Sequence, residues 1–257
     1  MAITIQPVQL KPETVAAFDA YVLAAERVMD DATQGPTTFL WSERDEKRLE
    51  KVRKGDIVAE HWGAEANDPV AIPEGLIHDL VGAVFVPERN AQQAVALVQD
   101  YDNHKNVYKP DVIDSKLISR EGDDYQVYLR LLKKKLITVV LDSYHDAHYS
   151  WLDANRALCR SHSTRIEEVE HAGTPEETKS APDQGYGFLW RLYSYWRFEV
   201  KDGGVFIECR AISLTRDIPT ALAWAIKPIV RKLPLESLVH TLQATRDALR
   251  SDVAIVA

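Results

Sequence analysis

The sequence predicts an α+β fold, with helices at both ends of the chain and an antiparallel sheet between them. Three observations carry that expectation. From residue 111 to about 215 the apolar residues recur with a period close to two. Short turns such as Gly203-Gly204 part successive runs, which makes a meander rather than βαβ units. The closing stretch, 218–250, sets Leu235, Leu238, Leu242, Thr245 and Leu249 at spacings of three and four. That is a helical stripe, and the only large surface available to cover it is the sheet.

The elements follow in order. Residues 12–30, PETVAAFDAYVLAAERVMD, read as an amphipathic helix. Pro12 suits its first turn, and Val15, Phe18, Val22, Ala25 and Val28 or Met29 share one face. A charged helix is expected over 42–55, capped by Ser42 and ended by Gly55. The Gly-, Pro- and Asn-containing stretch 63–75 is the best boundary in the chain. After it, LIHDLVGAVFVP (76–87) reads as a strand. A helix capped by Asn90 follows, with Ala94, Leu97, Val98 and Tyr101 on one face, and Pro110 forbids its continuation. Six strand-like runs then span 111–217, interrupted at 172–186 by a polar loop of a composition suited to disorder. In the closing helix Pro219 fits a first turn, whereas Pro228 and Pro234 are expected to kink or split it.

Composition bounds the function. Of 257 residues, 46% are hydrophobic and 27% charged, the balance of an ordinary globular protein. A net charge of −8 argues against a nucleic-acid partner, because phosphate binding wants a basic face. No run approaches the roughly 18 apolar residues of a membrane span. The start lacks the basic and apolar regions of a signal peptide, so a cytoplasmic location is the default; a processed N-terminus would read the same way and leaves export open. Cys159 and Cys209 are too few for a disulfide framework or a four-thiolate site. They lie on runs separated by 188–198, so both read as small core residues.

Chemical motifs are sparse. His145, Asp146 and His148 suggest a metal, but strand parity sends 145 and 148 to opposite faces, and a solvated strand end is the better reading. The serines at 143, 161, 163, 194 and 213 stand on strands with no nucleophile elbow. There is no glycine-rich phosphate loop or dinucleotide fingerprint, so no cofactor and no metal are expected.

Two stretches carry a family likeness. VQDYDNHKNVYKPDVIDSKLISREGDDYQVYLRL (98–131) resembles the place where a helical pair ends at a Tyr-Pro-like turn and the next strands begin in the START-like (SRPBCC) superfamily. YWRFEVKDGGVFIECRAISLTRDIP (195–219) resembles its closing hairpin, which leads into the last helix. The likeness covers about 76–250 and is greatest to the polyketide cyclase/dehydrase and lipid-transport branch. It implies a helix-grip fold, in which a curved antiparallel sheet of about seven strands wraps around a long C-terminal helix. Residues 1–75 then form an N-terminal helical extension, 76–250 the START-like domain, and 251–257 a tail.

The resemblance also implies a cavity between sheet and helix for a hydrophobic or amphipathic small molecule. Its expected lining is Phe188, Trp190, Leu192, Ser194, Trp196 and Phe198 on one strand. The facing strand adds Val205, Ile207, Cys209, Ala211 and Ser213. Aromatic beside small lines a pocket or packs solid, and the sequence leaves both open. Arg160 and His162 alternate in phase and either orient a ligand's polar end or lie on the outer, wet face. Trp224 lies in the apolar segment 219–234 with Lys227, Arg231 and Lys232: the favoured reading is the first half of the core helix with Trp224 buried and the cations in water, and the alternative is a gate that touches membranes at most transiently. Three readings follow: a binding or transport module, a cyclase- or hydrolase-type enzyme in the same pocket, or a partner-binding protein with a filled core. The lack of a clear acid/base pair favours binding.

Overall fold

A computed structural model describes residues 6–34, 38–63, 69–134, 138–217 and 223–251, with the backbone alone over 223–231. In chain order the elements are β1 (Val8–Gln9), α1 (Pro12–Gln34), α2 (Glu46–Arg53), β2 (Val58–His61), β3 (Val70–Ile72), β4 (Gly75–Pro87), α3 (Ala91–Gln99) and α4 (His104–Val107). The meander follows as β5 (Val112–Glu121), β6 (Asp124–Lys134), β7 (Thr138–Trp151) and β8 (Arg156–Glu170). Short β9 (Thr178–Lys179) and β10 (Gln184–Gly185) come next, then β11 (Arg191–Lys201), β12 (Gly204–Arg216) and α5 (Ala223–Arg250).

The long strands form one antiparallel sheet in the order β2-β4-β12-β11-β8-β7-β6-β5, with β3 along β4 and β9 along β8. Seven strands are long, as expected, and the additional ones are short. Two contacts of α5 show that the sheet curls. At one edge Leu242 lies over Gly82 of β4. On the other side Thr245 Oγ1 is 3.2 Å from the Tyr108 hydroxyl, and His240 Nδ1 is 3.4 Å from the carboxylate of Asp111, the residue before β5. Six strand spacings separate β4 from β5, about 29 Å in a flat sheet. One helix reaches both only if the sheet bends around it, and this is the helix-grip arrangement.

Strand parity sorts the residues onto two covered faces. The inner face, toward α5, buries Leu80, Val84, Trp196, Phe198, Ile207 and Cys209 with Leu238, Leu242 and Leu249. The outer face buries Ile77, Tyr195, Ile212 and Leu214 against Phe18, Val22, Ala25 and Met29 of α1. Between residues 28 and 29, therefore, Met29 is the one that packs; Val28 is 47% exposed. Further along the outer face Phe85 and Phe206 pack with Phe39, Leu40 and Trp41.

Four local expectations change. The cap of α2 is Asp45, whose Oδ1 accepts the Arg48 N–H at 2.7 Å; Ser42 lies in a preceding 3-10 turn because its own N–H is bound by Glu208. The helix expected after Asn90 stops at Gln99, and a separate turn of helix follows. Asp102 there accepts the Leu117 N–H at 3.0 Å, which ties the break to β5. The loop at 172–186 is held by side chains of the sheet: Arg130 Nη2 of β6 meets the loop's Glu177 at 2.8 Å, and Glu168 of β8 accepts the N–H groups of Tyr186, Gly187 and Phe188 at 2.7–3.1 Å. Finally, α5 runs unbroken through Pro228 and Pro234; Pro219 lies outside the described residues.

Candidate functional site

Register places inner-face residues of different strands in straight rows. Gly82, Cys209, Trp196, Cys159 and Tyr149 stand side by side, and this row is closed by Leu242 and by Trp196, which stacks parallel to Phe198 with centroids 6.2 Å apart. The next row is Leu80, Ala211, Ser194, Ser161, Ala147 and Tyr125. Beyond it lie His78, Ser213, Leu192, Ser163, His145 and Val127; Ser163 Oγ accepts the Leu192 N–H at 2.9 Å. The aromatic row thus gives way to a row of mostly small and hydroxyl-bearing residues, and then to one in which Ser213 and Ser163 stand among His78, Leu192, His145 and Val127.

The helix direction shows what lies above them. Arg89, just after β4, donates from Nε to the Leu249 carbonyl at 2.7 Å, so the C-terminus of α5 lies at the end of β4. Leu242 sits over Gly82. The earlier turns of α5 therefore run toward Leu80 and His78, above the two rows that these residues begin.

The polar groups on this floor are neutral. His145 is buried, its Nε2 2.7 Å from Ser143 Oγ and its Nδ1 3.5 Å from Ser161 Oγ. Burial pushes its pKa down to about 4, helped by the nearby charge of His162. His78 is fully buried and likewise pushed down to about 4, first by burial and then by His61. Its Nε2 lies 3.0 Å from Thr215 Oγ1, and its Nδ1 has no hydrogen-bond partner among the described residues. Burial pushes the Cys159 thiol up to about 12 and raises that of Cys209 as well, so neither is a nucleophile.

Each predicted residue except Trp224 has a definite place. Leu192, Ser194, Trp196, Phe198, Cys209 and Ala211 share the inner face, with the first two and Ala211 half-buried and the others buried. Trp190 does not join them. It precedes β11 and packs with Leu214 and α1, because the chain has not yet taken up strand parity at that point. Arg160 and His162 face outward, where α1 covers them in part and leaves each side chain 37% exposed. Arg160 pairs with Asp30 of α1; His162 stacks on Tyr193 with centroids 4.1 Å apart, and its Nε2 is 3.1 Å from Glu26. The side chain of Trp224 and the alternative of a gate over 219–234 fall largely outside the described residues. His145 is no solvated strand end; parity sends His148 outward to Asp124 and His145 inward. Alternation with Ser143, Ala147 and Tyr149 is the signal that assigns it. His78 was signalled only by a polar His-Asp pair within an apolar run.

No family model matches the chain, and no curated protein matches it. Among solved structures, a Thermus thermophilus protein is similar at 16% identity and a TM-score of 0.47, over 68% of this chain and 99% of that one. A fragment of a STAR-related lipid transfer protein from Xanthomonas axonopodis is similar at 18% identity and a TM-score of 0.47, over 70% and 96%. The Zhui aromatase/cyclase of a Streptomyces strain is similar at 14% identity and a TM-score of 0.43, over 69% and 96%. At these identities the likeness is one of fold. Among the described residues no helix is long and apolar enough to cross a membrane.

Proposed function

Taking the START-like fold as premise, we propose that the chain binds a hydrophobic or amphipathic small molecule between the sheet and the first half of α5. The observation that supports this is the small-residue row Ala211, Ser194, Ser161 and Ala147, continued by Ser213 and Ser163, beside a tightly packed aromatic row. Protein interiors are close-packed, so a floor of Ser and Ala needs bulk from above, and a guest supplies it. The floor has no charge to offer, only neutral imidazoles and hydroxyls. It suits a ligand with an uncharged polar group, a hydroxyl or a carbonyl, better than an anion. A histidine with a pKa of about 4 is a weak base at neutral pH, so the Ser143–His145 pair serves to hold a ligand rather than to activate a nucleophile.

Filling the floor tests the proposal. The neutral probe Nile red should bind the native protein saturably with a blue shift. Ala211→Phe and Ser194→Leu should each abolish binding while leaving a cooperative melt at an unchanged temperature. Saturable binding that survives both changes would place the probe elsewhere and overturn the reading. So would a large drop in melting temperature, the sign of a floor already packed solid.

A further inference from the structure

The tautomer of His145 follows from its neighbours. Ser143 is fully buried, and among the described residues its Oγ meets one hydrogen-bonding group, His145 Nε2 at 2.7 Å. A hydroxyl proton shut away from water needs an acceptor, and here only Nε2 can take it. Ser143 therefore donates to Nε2, and the single proton of the neutral ring sits on Nδ1. That N–H faces Ser161 Oγ at 3.5 Å, too far for a good bond. It is a buried donor that the fold leaves largely unused.

Two hydroxyls stand beside it. Ser161 and Ser194 are register partners on β8 and β11, flanked in their row by Ala147 and Ala211. Ser194 Oγ has no hydrogen-bond partner among the described residues, and Ser161 Oγ has only the long contact to His145. Both serines and Ala211 are half-buried, although each has a strand on either side and faces α5. Space therefore remains above the hydroxyls. The Trp196 row, closed by Leu242, bounds that space at one end. In the other direction, toward the start of α5, the inner face turns apolar with Leu192, Leu129 and Ile166.

We infer that His145, Ser161 and Ser194 cradle one carbonyl oxygen, and that the ligand of the inner floor is a ketone or ester with its carbonyl nearest Trp196 and its apolar body toward Leu192, Leu129 and Ile166. This rests on the pocket reading above and narrows it from any uncharged polar group to an acceptor. The cradle already holds three protons, one on Nδ1 and one on each serine. A carbonyl oxygen has two lone pairs and no proton, so it takes two of these donors and leaves the third to bond between the serines. An alcohol adds a fourth proton where donors are already in excess.

The test uses the full chain and three probes of one shape: 2-acetylnaphthalene, the alcohol 1-(2-naphthyl)ethanol and the hydrocarbon 2-ethylnaphthalene. In equilibrium dialysis all three should bind saturably, the ketone at least about threefold more tightly than the alcohol. In the double variant Ser161→Ala/Ser194→Ala the ratio of ketone to hydrocarbon affinity should fall about tenfold. Using a ratio removes any general loss of binding. A second measurement needs no variant. The infrared stretch of the ketone, labelled with carbon-13 at its carbonyl, should lie lower in the native protein than in cyclohexane, because the oxygen accepts hydrogen bonds. A stretch equal to that in cyclohexane, an unchanged ratio in the double variant, or tighter binding of the alcohol would each overturn the cradle while the pocket stands. If none of the three probes binds saturably, pocket and cradle fall together.

Discussion

Glu208 is 3% exposed, and its two oxygens accept the backbone N–H groups of Trp41 and Ser42, each at 2.7 Å. Burial raises its pKa and these N–H groups oppose the rise, so one side chain fastens a segment more than a hundred and sixty residues earlier in the chain. Glu208→Ala should cost about 3 kcal/mol, because two buried donors lose their acceptor. Urea unfolding measures that loss, and hydrogen exchange should show the Trp41 and Ser42 amides opening while those of β12 stay protected. A change within ±0.5 kcal/mol of zero, with both amides still protected, would refute the role. Nothing local in GVFIECRAI marks Glu208 as a clamp. Ser42 reads as a helix cap for the same reason: a long-range acceptor overrides the local preference, and sequence spacing does not see it.

At Gly82, α5 approaches β4 closely. A Cβ on Gly82 would lie 2.6 Å from Leu242 Cδ1 and 3.0 Å from the Ala59 side chain. Gly82→Ala should therefore destabilise by about 1–3 kcal/mol through overpacking. Leu242→Ala alone should cost about 2–5 kcal/mol. In the double variant the new methyl enters space that Leu242 has vacated, so the losses should fall short of their sum by about 1 kcal/mol or more. Strict additivity in denaturant unfolding would show that helix and strand do not grip one another there. The helical side of this contact was legible, since Leu238, Leu242, Thr245 and Leu249 repeat at helical spacing and all are buried. Its partner was not, because a lone glycine in an apolar run does not say what approaches it. The covering of both faces was written in β4 itself, where the first twelve residues are all buried and the apolar run scarcely alternates. The phase of β11 against β12 was legible too, from Trp196 and Phe198 opposite Cys209 and Ile207. Trp190 escaped because parity holds only inside a strand.

The whole molecule carries an acid liability. His78, His104 and His145 are buried, and burial pushes each down to about 4. Below the ordinary histidine value of about 6.5 the unfolded chain takes up protons that the folded chain refuses until about pH 4. Stability is therefore full above that window and is lost as pH falls through it, at up to about 4 kcal/mol per pH unit for three such groups. Glu168 and Glu208, raised by burial, act in the opposite sense and blunt the slope. Urea unfolding at pH 7 and pH 5 should reveal the loss, and His104→Gln should reduce it by about a third. A stability unchanged between those values would contradict neutral burial. Which histidines were buried was only partly readable: strand parity separates His145 from His148, but the burial of His104 depends on α4 folding back, where its Nε2 lies 2.9 Å from the Val98 carbonyl.

The pairing of β4 with β12 also has a consequence in time. Gly75 lies opposite Arg216 and Pro87 opposite Gly204, so the first long strand leaves the ribosome well before the strand that completes it, and the whole meander is made in between. Through that interval its apolar run can shelter only under β2, β3 and the helices already synthesised ahead of it. Non-local pairing of this kind is slow to form and leaves sticky intermediates. On the nascent chain, α1, α2, β2 and β3 are the shelter this strand has until β12 arrives.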